Sequence, residues 1–284
     1  MIPPMDTATN RERRLEHERR QRRRSTIIAT ASTVVVMAAV LVFVPMTPGW
    51  DKVRRSFFNR EILIDTFPSL LKAFWLDVRI FLVAVPCISI IALGLALARN
   101  SRHPALFPLR AAVAIYTDVF RGVPVILTIY LIGFGVPGLG LSRTWGQPII
   151  WGTVALILAY SAYVSEVFRA GIESVHESQR AAARSLGMSS AQTMRIVVLP
   201  QAIRRVVPPL MNDFISLQKD VALVSLIGPV EILRRAGIEK SAAANFTPYV
   251  GAAIIFLAVT IPLTRTADHL MARQRRRTTG TAVA

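Results

Sequence analysis

RAAARSLGMSSAQTMRIVVLPQA, residues 180–202, is a polar stretch set between long apolar runs. Ala181, Ala182 and Ala183 are strong helix formers. Gly187 supplies the left-handed residue that ends a helix. Ser189 and Gln192 have the spacing of a capping box for a second short helix. Leu199-Pro200 closes that helix, because proline disfavours helical backbone at the residue before it. The stretch therefore predicts helix, sharp turn and helix, lying against a membrane face. Small side chains at such a turn let the backbone enter a groove on a partner, which suits a docking element. An ordinary helical hairpin covering the face is the alternative.

Outward from this loop the chain is apolar. Of its 284 residues 52% are hydrophobic and only 18% charged, below the roughly 25% of soluble proteins, and mean hydropathy is +0.45. The net charge is nevertheless +17. Because the basic residues fall between apolar runs, the pattern is that of a membrane protein with arginine-rich edges and not of a nucleic-acid-binding protein. A helix needs about 20 apolar residues to cross a bilayer. Residues 25–50, 80–98, 144–165 and 241–264 carry no charge at all. Two further spans are interrupted by charges: about 109–134, with Asp118 and Arg121, and about 206–227, with Asp213, Lys219 and Asp220. The expected fold is an all-α integral membrane protein with six transmembrane helices.

With the N-terminus placed in the cytoplasm, 22 Lys and Arg residues fall inside and nine outside. That asymmetry predicts cytoplasmic N- and C-termini. Residues 1–24 form a basic tail that sets orientation and can meet anionic membrane lipid. Residues 25–50 form a first helix, an uncleaved anchor, since the run exceeds a signal peptide's apolar core and lacks a cleavage site. Residues 51–75 form an external or interfacial segment, in which Phe57, Phe58, Ile62 and Leu63 interleave with Lys52, Arg54, Arg55 and Arg60. The main membrane domain spans 76–272, with its cytoplasmic loop at 169–205, and residues 273–284 form a basic tail. The single cysteine, Cys87, excludes an intramolecular disulfide.

Ionisable groups at membrane depth cost roughly 2.5–3.5 kcal/mol each and normally pair or face water. Asp118 and Arg121, three apart, share a helix face, so an ion pair between them is expected. Gly122 and Pro124 allow a bend just after. Lys219 and Asp220 are adjacent, so on a helix they point about 100° apart and cannot pair well. Lys219 either pairs with a carboxylate of another span or meets a substrate carboxylate, and Asp220 could meet an amino group. Asn212 and Asp213 lie about two turns earlier on the same segment. Tyr163 and Glu166 share a face, where Glu166 serves packing or gating.

Several blocks resemble the permeases of ATP-binding-cassette (ABC) importers for polar amino acids. Residues 181–200 are similar to their EAA signature, a short helix that couples to the ATPase. The match runs through Ala181-Ala182-Ala183, Gly187 and Val197-Val198-Leu199-Pro200, with alanine for the leading glutamate and valine for isoleucine. Phe120-Arg121-Gly122-Val123-Pro124 resembles the family's FRGTP motif. Tyr160-Ser161-Ala162-Tyr163 through Glu166-Val167-Phe168-Arg169-Ala170-Gly171 is similar to the block before the loop, and Asn212-Asp213-Phe214-Ile215-Ser216-Leu217-Gln218-Lys219-Asp220 to an NxFIxLxKD segment. The family usually continues with Thr-Ser-Leu, where this chain has Val221-Ala222-Leu223.

The resemblance implies a five-helix core plus one N-terminal helix in a bacterial cell membrane. It assigns Arg180, Ala181, Ala182, Ala183, Arg184, Ser185, Leu186 and Gly187 to the coupling loop. The candidate substrate path comprises Asn212, Asp213, Lys219, Asp220, Arg121 and Tyr163. It implies a separate ATPase subunit that uses ATP and Mg, a second permease subunit, identical or homologous, and an external substrate-binding protein. No GxxxxGK[ST] phosphate loop and no His/Cys/carboxylate run with metal-ligand spacing occurs, so neither catalytic residues, a cofactor nor a metal is expected in this chain. The alternatives are a secondary transporter or channel, which would also place ionisable groups at the midplane, and a membrane-anchored structural or signalling protein. Neither requires the loop, and co-purification with an ATPase separates the three.

Overall fold

The computed structural model describes residues 7–101 and 103–280. The outermost parts of the two basic tails, residues 1–6 and 281–284, and Arg102 lie outside the described residues. All regular structure among the described residues is helical. The chain divides at Phe58/Asn59 into two compact units.

The first unit holds α1 (Thr7–Phe43) and α2 (Trp50–Phe57). From Thr7 the expected tail runs on into the first span as one continuous helix, with no glycine or proline within it, and it ends at Phe43, before Pro45 and Pro48 and short of the expected Trp50. Residues 23–43 are long and apolar enough to cross a membrane. In α2, Asp51 lies in the first turn and Arg54 and Arg55 in the last, which complements the helix dipole.

The second unit is built on α3 (Arg60–Asn100), a 41-residue helix roughly 60 Å long. Asn59 starts it by accepting the N–H groups of Glu61 and Ile62 at 3.0 and 3.2 Å. One stripe of α3 is buried: Leu70, Phe74, Asp77, Ile80, Ala84, Ile88, Ala92 and Ala96, at helical spacing. The opposite side leaves Trp75, Leu82, Val83 and Ile90 uncovered, as a lipid-facing surface does. Between helices in lipid no hydrophobic force acts, so close packing of small residues must hold them. Ala84 and Ala92 of α3 accordingly pack in one core with Ala155 and Leu156 of α6 (Pro148–Glu173) and Leu217 of α9 (Leu199–Asp220). Gly171 of α6 lies so close to α9 that a Cβ there would stand 2.1 Å from Val206 Cγ1.

Helices α4 (Phe107–Gly122) and α5 (Val125–Gly135) meet at a bend of 107°, at the break around Val123 and Pro124. Loop helices α7 (Glu177–Ser185) and α8 (Ser190–Gln192) follow α6, and α10 (Ile232–Ala243) and α11 (Thr247–Gly280) end the chain. Two carboxylates start α10. Glu231 accepts the N–H groups of Leu233 and Arg234 at 2.9 and 2.7 Å, and Asp77 Oδ2 accepts that of Ile232 at 3.3 Å. They satisfy three N–H groups that a buried helix end would otherwise leave without partners.

Four helices of the described residues are long and apolar enough to span a membrane, and five if the bent pair is one span. The expected span at 206–227 is the last part of α9 with the 3-10 turn Val221–Ile227 that follows it. Its charges lower its apolarity, and the count of six is compatible with this architecture. The Leu199-Pro200 pair does not close a helix. Residues 193–198 are wound as π-helix and run straight into α9, with Pro200 in its first turn. Proline lacks an N–H and clashes with the carbonyl four residues back; a first-turn position and wider winding before it remove both problems.

Candidate functional site

Two sets of residues stand out: the loop between α6 and α9, and a polar cluster where α6, α9 and the α4–α5 bend meet. The loop is built locally. His176 starts α7 by accepting the Ser178 N–H through Nδ1 at 3.2 Å. Gly187 ends it at φ +82°, with its N–H donated to the Arg184 carbonyl and that of Met188 to Ala183. Ser189 and Gln192 form a reciprocal capping box. The loop is braced from behind: Arg180 donates to the Ile172 carbonyl, Arg205 to the Ser174 carbonyl, and Gln201 to Gln179 at 2.6 Å. Ala183 is buried in this support. Ala181, Ala182, Arg184, Ser185 and Gly187 are exposed, and Leu186 at the tip is 83% exposed.

In the second set, α9 presents two stripes. Asp213, Leu217 and Asp220 lie one turn apart on a covered side, and the Tyr160 hydroxyl of α6 donates to Asp220 Oδ2 at 2.8 Å. Asn212, Ser216 and Lys219 lie on a side that the rest of the chain leaves open. Lys219 makes no ion pair among the described residues. Asp213 Oδ2 is buried without a hydrogen-bond partner. Tyr163 stands beside Tyr160, ring centroids 6.2 Å apart, and its hydroxyl donates to the Arg121 carbonyl at 3.3 Å. Arg121, Tyr163 and Asp220 are thus linked through Tyr160, while Asn212 and Lys219 lie on the neighbouring stripe.

The expected Asp118–Arg121 pair is not made. Asp118 is exposed, and Arg121 instead approaches Glu166 Oε2 at 3.8 Å. Glu166 also takes Arg99 at 2.7 Å and Arg169 at 2.8 Å. One carboxylate therefore ties α3, the α4–α5 bend and α6 together, and Arg99 adds a bond to buried Thr117 at 2.8 Å. Sequence reasoning missed Tyr160, Arg99 and the buried Gln218, whose Oε1 accepts from Thr260 of α11 at 2.9 Å. Each acts across 42 residues or more of chain, apart from the Arg99–Thr117 bond. The one available signal was polarity at otherwise apolar positions.

A profile for binding-protein-dependent transport system inner membrane components matches residues 90–276. The probable glutamine ABC transporter permease protein GlnM of Bacillus subtilis (strain 168) is 32% identical over 216 residues, covering 76% of this chain and 97% of that protein. The arginine transport system permease protein ArtQ of the same organism is 32% identical over 205 residues, covering 71% and 90%. Among solved structures, an amino acid ABC transporter crystallised with histidines is similar at TM-score 0.67 and 32% identity, over 74% of this chain and 96% of that one. The inward-facing MetNI methionine ABC transporter shares the fold at TM-score 0.58 and 17% identity, over 72% and 95%. With the profile covering well over half its length and relatives 32% identical over nearly their whole length, the chain belongs to the inner-membrane permease family of binding-protein-dependent ABC importers.

Proposed function

We propose that the chain lines the translocation path of a polar amino acid importer. The observation that carries this is Lys219, a cation of α9 left open and without an ion pair among the described residues, one residue from Asp220, which Tyr160 holds in place. A zwitterion losing its water needs one cationic and one anionic partner, because an unpaired charge at membrane depth is heavily penalised. Lys219 suits the carboxylate and Asp220 the amino group, with Asn212, Asp213, Arg121 and Tyr163 nearby on the same path. The relatives named for glutamine and arginine, and the structure solved with histidines, support a polar amino acid as substrate.

Residues 180–187 dock onto a separate ATPase that binds ATP and Mg, with Leu186 and Gly187 at the contact. A second permease subunit, the same or homologous, covers the open face of α9, and an external binding protein delivers the substrate. Both termini lie in the cytoplasm. Reconstituting the tagged chain with its co-purified ATPase and binding protein tests the whole reading. ATP-dependent uptake of one or a few polar amino acids is expected. Uptake by the isolated chain driven by an ion gradient would overturn it.

A further inference from the structure

A cavity of about 720 Å³ opens between α7, α8 and the end of α3, within the roughly 300–1,000 Å³ range of ligand pockets. Its wall on α7 carries Arg180 and Arg184, one turn apart, and the facing wall carries Asn100, Ser101 and His103. Each guanidinium is anchored by one bond, Arg180 to the Ile172 carbonyl and Arg184 to Ser190 Oγ. Neither makes an ion pair among the described residues, so both keep donors free in a fixed place. Glu177 also lines the cavity and has an interaction of its own. His103 accepts the Ala105 N–H through Nδ1 at 3.3 Å, which in the neutral ring leaves the proton on Nε2 as a further donor. Thr193, 6% exposed and in the lining, has a hydroxyl with no hydrogen-bond partner.

The remaining wall is apolar, with Leu97, Met194 and Val198. A small soluble anion would use only the donors. A phospholipid uses both halves, its phosphate between the arginines and its glycerol and first methylenes on the apolar wall. The cavity also lies at the last turn of a membrane-crossing helix, where headgroups are found.

We propose that this cavity holds the phosphodiester headgroup of an anionic phospholipid. The site rests on the reading that this end of α3 meets the membrane surface. It is lined by Arg180, Ala181 and Arg184 of the proposed docking segment on the side facing the end of α3, and leaves the exposed tip at Leu186 and Gly187 outside the lining. A bound lipid bridges the docking loop to α3, so the lipid composition would set how firmly the loop is held.

The test is native mass spectrometry of the full transporter taken from vesicles of mixed phosphatidylglycerol and phosphatidylcholine. Wild type is expected to retain phosphatidylglycerol over phosphatidylcholine on the order of tenfold, and Arg180→Gln with Arg184→Gln to abolish that preference. Thr193→Val removes a hydroxyl that no described residue bonds, so it should assemble even where the double variant does not, and should weaken the preference severalfold. Equal retention of both lipids by wild type, or an undiminished preference in the variants, would overturn the site. Displacement of the lipid by millimolar inorganic phosphate would reassign it to a soluble anion. The readout is retention and not uptake, so failure of the transport reading leaves it untouched.

Discussion

Tyr160 of α6 and Asp220 of α9 meet through a 2.8 Å hydrogen bond, sixty residues apart in sequence. The bond fixes Asp220 in place and leaves Lys219, one position earlier, to turn away. Tyr160→Phe leaves the carboxylate without this donor, at a cost of about 1–3 kcal/mol, and should lower the melting temperature of the assembled transporter along with uptake. Asp220→Asn keeps an acceptor for Tyr160 but removes the charge. It should melt as wild type does and still lose uptake, measured with radiolabelled substrate in proteoliposomes. Normal uptake by Asp220→Asn would remove the charge from the mechanism.

Lys219→Met separates path from packing. No carboxylate among the described residues depends on Lys219, so assembly and melting should be unchanged. Breaking a buried pair would instead cost on the order of 3–5 kcal/mol and show as poor yield. Uptake should fall at least about tenfold, the equivalent of about 1.4 kcal/mol of lost interaction with the substrate. Normal assembly with normal uptake would dismiss Lys219 from both roles.

Gly187→Val tests coupling. Nothing lies within 4 Å of a Cβ built at Gly187, so the change creates no clash inside the chain. It does force a branched residue into φ +82°, which costs roughly 1–2 kcal/mol or more, and it puts bulk on the proposed docking tip. Membrane insertion should persist while transport and substrate-stimulated ATP hydrolysis are lost. If hydrolysis and uptake stay coupled, the docking assignment is wrong.

The Glu166 cluster sets up a graded stability series. Glu166 is 15% exposed and holds Arg99 and Arg169 within 2.8 Å, while Arg121 is 45% exposed and 3.8 Å away. Partial exposure discounts all of these ion pairs. Glu166→Gln leaves three arginines without their shared partner and should cost about 2 kcal/mol or more, whereas Arg121→Gln should cost well under 1 kcal/mol. Melting of the purified complex checks the order, and a larger effect for Arg121→Gln would show that the hub is elsewhere.

Topology is checked with single cysteines in a Cys87→Ser background. At Gly237 a side chain would come within 3.1 Å of the Tyr249 hydroxyl, so exposed Ala242 on the same helix is the better site. Ala242→Cys should react with an impermeant maleimide outside intact cells, and Ser189→Cys only after permeabilisation. The reverse pattern would invert the chain in the membrane.

What was legible in the sequence was local. Gly187 and the Ser189–Gln192 box report on backbone within five residues of themselves, and both form as their spacing predicts. The Gly122–Pro124 break was equally readable because proline and glycine act on their own backbone. Pro200 misled because proline fits the first turn of a helix as well as the end of one. The partners of Arg121, Asp220 and Gln218 were out of reach, since each was decided by which helices pack together. Asp118 lies three residues from Arg121 and still loses it to Glu166, because a shared helix face permits a contact without requiring it.

The π-wound residues 193–198 give α9 a rotational phase that α-helical winding would not. From Ser190 to Asp220 the backbone stays helical, so a change of twist in this segment is carried along α9, past its interior Pro208 and Pro209, toward Lys219. Rewound as α-helix with all six of its residues kept, the segment would turn the helix beyond it by on the order of 100° and lengthen by about 2 Å. Such a turn is the same angle that separates Lys219 from Asp220. Such rewinding would carry Asn212, Ser216 and Lys219 off their open side as a block, with the number of residues between loop and Lys219 unchanged.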